Sequence, residues 1–219
     1  MRVSRAERTA NYVVLAAFAI FAVIPILTIL QAALGPSDTA GTAAGASTSF
    51  AGLHLGNFAE AWQVGHFGSY MRMSFLVSSS VVVVSVGLSI LSGFAFGTMR
   101  FRGSTALFYL FLLGIMMPSE AIVVPLYFDL RTIGLTDTFW AVALPQVAQS
   151  VAFGTFWMRA YFRSSSRSLI EAARLDGASN RRILWQVLVP LARPAIVTLT
   201  VLVFMWTWNE FLIPLVMVT

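Results

Sequence analysis

The chain contains no cysteine and no lysine, only two histidines, and charged side chains make up just 11% of its 219 residues. Without cysteine there are no disulfides and no thiolate metal sites. Without lysine there is no phosphate-binding loop of the kind nucleotide hydrolases use, because that Gly-rich turn needs a Lys to reach the β- and γ-phosphates. His54 and His66 lack metal-ligand spacing, and no serine sits in a nucleophile motif. The sequence therefore offers no catalytic residue, no metal site and no cofactor site of its own.

What it has is apolar residue in long runs. Hydrophobic residues make up 58% of the chain and the mean hydropathy is +0.81, a membrane composition. About 20 apolar helical residues cross a bilayer core. Five segments meet that length, residues 12–31, 73–98, 105–128, 139–158 and 194–218. The expected fold is an all-α membrane protein, a multi-span transmembrane helical bundle. The third segment is interrupted by Pro118, Ser119 and Glu120 and followed by Pro125, which predicts a broken helix. The first run could instead be a signal sequence, but a signal core is shorter, about 7 to 15 residues, so an uncleaved span is the preferred reading.

All fourteen basic residues are arginine. With the N-terminus in the cytoplasm, Arg2, Arg5, Arg8, Arg100, Arg102, Arg159, Arg163, Arg167, Arg174, Arg181, Arg182 and Arg193 fall inside. Only Arg72 and Arg131 fall outside. Arginine in short loops sets orientation, so this split predicts a multi-pass plasma-membrane protein with a cytoplasmic N-terminus. The positive charge then serves orientation and anionic lipid, with no nucleic-acid partner.

The expected organisation is a cytoplasmic tail (1–10), a first span (11–31), an external segment (32–70) and a membrane domain (71–219). The external segment opens with a low-complexity Gly/Ala/Ser/Thr stretch that cannot bury enough apolar surface to fold. It ends with Phe58, Trp62, Phe67 and Tyr70, spaced for an amphipathic piece at the outer interface. In the second span Ser85, Ser89, Gly93 and Gly97 recur every fourth residue and form a small-residue seam for helix packing, either within the chain or against a partner.

The longest inner loop, 164–190, encodes two short helices. Ser168 and Glu171 have the form of a capping box, Gly177 supplies a left-handed stop, and a second helix starts near Ser179 or Asn180. That helix is expected to bury Ile183, Leu184, Val187 and Leu188 and to end before Pro190. Ala172 and Ala173 permit close approach by a partner, with Glu171, Arg174 and Asp176 as docking charges. On these local features alone, an ordinary amphipathic surface loop is the simpler reading.

Glu171-Ala172-Ala173, then Gly177, then Val187-Leu188-Val189-Pro190 resembles the EAA loop of binding-protein-dependent ABC importer permeases. Val187 and Val189 stand where that family usually has Ile and Leu. Pro118-Ser-Glu120 with Pro125-Leu-Tyr127, Gly134-Leu-Thr-Asp-Thr138, Leu144-Pro145 and Trp208-Asn-Glu-Phe-Leu-Ile-Pro214 resemble the carbohydrate branch, the maltose-permease G-type subunits, and the likeness covers most of residues 53–219.

The resemblance implies a type I ABC importer transmembrane domain. Glu171, Ala172, Ala173, Asp176, Gly177 and Pro190 would form the element that couples to the ATPase. Its partners would be a second related permease, two cytoplasmic ATPase subunits that bind the ATP and Mg, and an extracytoplasmic solute-binding protein. The family usually has a sixth span, so the five apolar runs read as a C-terminally incomplete domain.

Sugars bind to aromatic faces with amide and hydroxyl partners, making Gln146, Gln149, Trp206, Trp208 and Asn209 candidates for the substrate pathway. Interfacial aromatics and interhelical polar contacts are the plainer alternative. Amino acids, polyamines and phosphate esters are alternative substrates. A secondary transporter is disfavoured because no charge lies near the centre of any span, and an intramembrane enzyme because there is no site for one.

Overall fold

The computed structural model describes residues 4–35, 54–165 and 167–218. Every regular element among them is helical: α1 (Arg5–Leu34), α2 (Gly56–Val64), α3 (Phe67–Thr98), α4 (Ser104–Met116), α5 (Ser119–Thr132), α6 (Phe139–Ser164), α7 (Arg167–Leu175), α8 (Asn180–Leu191), α9 (Arg193–Trp208) and α10 (Leu212–Met217). The chain divides into two compact units, Met1–Met71 and Arg72–Thr219.

In the first unit α1 starts on a capping box. Ser4 Oγ accepts from the Glu7 N–H at 3.3 Å, and Glu7 Oε2 accepts from the Ser4 N–H at 2.9 Å. At 30 residues it extends about 45 Å. From Tyr12 to Leu34 it is almost entirely apolar on every face. The Asn57 side chain donates to the carbonyls of Ala33 and Gly35, at 3.1 and 2.8 Å, fixing the start of α2 to the end of α1. Trp62 stacks on Phe67 at 6.1 Å. His66 takes a left-handed conformation (φ 48°) between α2 and α3. Apart from Gly35, the expected low-complexity linker, residues 35–52, lies outside the described residues.

Two helices, Glu7–Leu34 within α1 and Phe67–Thr98, are long and apolar enough to cross a bilayer. Two bent pairs would raise that number to four if each forms one span. The first pair, α4 and α5, bends by 98°. The break falls at the expected proline, since Pro118 has no N–H to continue the ladder and holds Met117 extended (ψ 123°). The second pair, α8 and α9, bends by 78°.

Three boundaries differ from expectation. The second inner-loop helix does not end before Pro190: α8 passes through it to Leu191. Residues Ile183–Leu188 widen into a π-helical stretch, where the Val189 N–H bonds to the Leu184 carbonyl. This i→i−5 bond stands just before Pro190, which has no N–H of its own to give. The last apolar run is not one helix, because α9 ends at Trp208 and α10 begins only at Leu212. Finally, α7 already contains Arg167, so Ser168 is a first-turn residue and not the N-cap of the expected box.

The core of the second unit forms around α6. Met158, Phe162 and Thr155 on α6 pack with Val81, Ser85 and Ser89 of α3 and with Leu199 and Val203 of α9, all fully or almost fully buried. The small-residue stripe is the α3–α6 seam. A Cβ placed on Gly93 would lie 2.5 Å from Met158 Cβ and 2.9 Å from the Arg159 backbone nitrogen, and one on Gly97 would lie 3.1 Å from Phe162 Cβ. Across the same seam Gly154 of α6 faces Ser89. Ser85 and Ser89 donate back to the carbonyls of Val81 and Ser85, each at 2.6 Å, so their hydroxyls stay satisfied in an apolar setting. Ser92 and Thr155 hydrogen-bond across the seam at 2.6 Å. The stripe thus serves packing inside this chain.

Candidate functional site

Two regions collect the residues singled out from sequence. The first is α7 and the turn after it. Gly177 is left-handed (φ 76°). Its N–H donates to the Arg174 carbonyl at 3.0 Å, and the Ala178 N–H donates to the Ala173 carbonyl at 2.9 Å. This pair of bonds is a Schellman cap. Ser179 then caps α8, its hydroxyl accepting from the Arg182 N–H at 3.4 Å. Ile183, Leu184 and Leu188 are buried as expected, while Val187 is only half-buried.

This arrangement gives α7 two different faces. Ile170 is buried and Ala173 packs against the core. Glu171, Ala172, Arg174 and Asp176 are exposed, and Leu175 is 89% exposed. Leu175 thus gives an otherwise small and charged exposed face one large apolar group. Leu175 was missed as a candidate because its place in the sequence gives no sign of which way the helix turns it. Pro190 is exposed on α8, one helix removed from that face.

The second region is a cavity of about 500 Å³ in the second unit, formed where helices break. Gly114, Ile115 and Met117 line it at the end of α4, Ser119 at the start of α5, and Asn209 and Glu210 after α9. It gathers Gln146, Gln149, Trp206 and Asn209 from the sequence-derived set, but Trp208 does not line it. Instead Trp208 stacks on Phe204 at 5.6 Å.

The walls combine amide, hydroxyl and aromatic groups. Ser119 Oγ donates to Gln149 Oε1 at 3.5 Å. Gln146 Nε2 donates to the Val142 carbonyl at 3.0 Å, leaving its amide oxygen to accept. Asn209 Nδ2 donates to the Met205 carbonyl at 2.7 Å. Phe153 meets Trp206 edge to face at 4.8 Å. Glu210 is the one charged residue of the lining, and its Oε1 accepts from the Ile213 N–H at 3.1 Å, at the start of α10.

Glu210, Ser150, Phe153 and Thr207 were not among the expected residues. The Glu three residues before Ile213, after an interrupted helix, was the available signal for Glu210. Breaks in helices that expose polar backbone to a cavity are how membrane transport proteins build solute sites. The lining can donate and accept hydrogen bonds and offers an aromatic face.

Residues 85–219 match the family of the binding-protein-dependent transport system inner membrane component. The chain belongs to that family of inner membrane transport components. The match begins within α3 and takes in α7, α8 and the cavity.

Among individual relatives, the chain is 33% identical over 165 residues to the probable ABC transporter permease protein YurM of Bacillus subtilis (strain 168), covering 75% of this chain and 55% of YurM. It is 32% identical over 163 residues to the diacetylchitobiose uptake system permease protein NgcG of Streptomyces coelicolor (strain ATCC BAA-471 / A3(2) / M145), covering 74% of this chain and 54% of that protein. The chain thus spans about half the length of these curated relatives. The crystal structure of a bacterial ABC transporter involved in the import of the acidic polysaccharide alginate superposes with a TM-score of 0.74 at 26% identity, covering 100% of this chain and 78% of the matched one.

Proposed function

We propose that this chain is the membrane-spanning permease of an ATP-driven importer, moving a carbohydrate or related small polar solute through the bacterial inner membrane, in the carbohydrate branch of the family. The observation that carries this reading is α7. It is a short helix whose inner face is anchored by Ile170 and Ala173, whose exposed face presents Glu171, Ala172, Leu175 and Asp176, and whose end is locked by a glycine turn. Such an element fits a groove on a soluble partner.

In this reading the partner is one of two cytoplasmic ATPase subunits, which supply the ATP chemistry. Glu171, Ala172, Ala173, Asp176 and Gly177 form the coupling element, and Pro190 helps to hold the helix behind it. A second related permease completes the pathway, and an extracytoplasmic binding protein delivers solute. The N-terminus is cytoplasmic. α1, α3, the α4–α5 pair, α6 and α9 with α10 make five spans, α6 lying against α3, α4 and α9.

The cavity at the helix breaks is the solute route. Gln146, Gln149 and Asn209 supply hydrogen bonds and Trp206 an aromatic face. Its uncharged polar lining, with one carboxylate, favours a sugar over an anionic solute.

Glu171→Lys in the assembled importer tests the coupling role. The expected result is loss of ATPase copurification and of substrate uptake with membrane insertion intact. Wild-type binding and uptake in that variant would overturn the coupling assignment.

A further inference from the structure

A second cavity, of about 690 Å³, lies between α3, α6 and α7, away from the polar cavity at the helix breaks. Arg100, Arg159, Arg163 and Arg174 line it, with Glu171 the only acidic residue in the lining. None of the four arginines forms an ion pair with a described residue. They come from three parts of the chain: Arg100 just past the end of α3, Arg159 and Arg163 one turn apart near the end of α6, and Arg174 on α7.

Arg159 is fixed in place. Its Nε donates to the Phe96 carbonyl at 3.3 Å, and its guanidinium carbon lies 3.6 Å from the centre of the Phe108 ring. The remaining wall is partly apolar, from Phe96, Met99, Phe162 and Ile170.

Like charges cost energy to gather without a counter-charge, and packing alone does not require four guanidinium groups here. Arginine's forked donors match phosphate oxygens in pairs. The cavity also stands at the end of a helix apolar enough to span a bilayer, Phe67–Thr98. Its mixed wall can therefore receive a charged head together with the start of its hydrocarbon. Basic pockets of this kind between spanning helices hold anionic headgroups.

We propose that this cavity binds the phosphate of an anionic phospholipid headgroup, held by Arg100, Arg159, Arg163 and Arg174 behind the helix α7. The inference rests on the inner-leaflet orientation proposed above. It adds a lipid site that borders the coupling element, since Glu171 also lines the cavity.

The test uses the assembled importer purified in detergent, titrated with phosphatidylglycerol and, separately, with phosphatidylcholine and inorganic phosphate. Binding is read by native mass spectrometry and ATPase copurification is measured alongside. The variant is Arg100→Gln with Arg163→Gln, two exposed residues whose side chains make no hydrogen bond to a described residue. The control is Arg181→Gln with Arg182→Gln, which removes the same charge outside the cavity.

The expected result is a loss of phosphatidylglycerol affinity of roughly 20-fold in the cavity variant and little change in the control, with phosphatidylcholine and inorganic phosphate binding weakly throughout. Lysine at both positions should restore part of the binding, through its charge but without arginine's paired donors, which separates lost charge from lost fold.

Equal losses in variant and control would show general surface attraction and overturn the site. Inorganic phosphate competing as well as the lipid would make it a free-anion site and overturn the lipid assignment. Unchanged lipid binding with loss of the ATPase would assign the arginines to protein docking. Lipid binding and ATPase copurification are separate readouts of the Arg100 and Arg163 variant, so a failed lipid site leaves the coupling reading intact.

Discussion

The Ala178 N–H donates to the Ala173 carbonyl at 2.9 Å, closing the turn that ends α7 and setting its angle to α8. Gly177, at φ 76°, makes this bond possible, and a Cβ built there meets nothing within 4 Å. A side chain at 177 would therefore be resisted by backbone strain and not by crowding. Gly177→Val is expected to cost about 1–2 kcal/mol locally and to loosen the turn. Membrane insertion should be kept while substrate uptake and ATPase copurification fall. Uptake and copurification at wild-type levels would show that the turn's geometry is not used.

Leu175 projects from the exposed face of α7 and contributes almost nothing to the fold, being 89% exposed. Leu175→Ala should leave thermal stability in detergent unchanged. If α7 enters a groove on the ATPase, its affinity should weaken by roughly tenfold, measured by titrating the purified ATPase onto the permease. A change in melting temperature without a change in affinity would contradict this reading.

At the α3–α6 seam a Cβ on Gly93 has no room, whereas one on Gly87 of the same helix meets nothing within 4 Å. Gly93→Ala is expected to destabilise the second unit by about 1–3 kcal/mol through overpacking against Met158 and the Arg159 backbone. Gly87→Ala should be neutral or slightly stabilising. Thermal unfolding of the two variants in detergent compares them directly, and equal melting temperatures would refute the seam's tightness.

The solute route makes a separate prediction, because Trp206 lines the polar cavity and Trp208 stacks outside it. Trp206→Ala should raise the KM for uptake up to roughly tenfold, and Trp208→Ala should change it much less. Similar effects from both variants would remove the cavity as the solute route.

Much of this was readable from local signals. The break at Pro118 follows from a missing N–H, the stop at Gly177 from its freedom at positive φ, and the start of α8 from Ser179 as an N-cap. Pro190 misled for the same local reason: the helix runs through it, as others here run through Pro25, Pro125 and Pro145. The expected Ser168 box was two residues out of phase with the helix that forms, which already contains Arg167. Gln146, Gln149, Trp206 and Asn209 were chosen by residue type alone, and that they share one cavity while Trp208 does not depended on the fold.

By itself, the sequence determined the membrane composition, the small-residue spacing from Ser85 to Gly97 and the helix–glycine–helix form of the 164–190 loop. Each of these is a property of neighbouring residues or of their period along one helix. Only the tertiary structure decided that the small-residue stripe faces α6 of the same chain, that Leu175 points outward while Ile170 points inward, and that Arg100, Arg159, Arg163 and Arg174 share one cavity. Those facts depend on the rotation of each helix about its axis, which is set by packing between segments far apart in the chain. A spacing can show that a face exists, but the neighbours it meets determine what that face does.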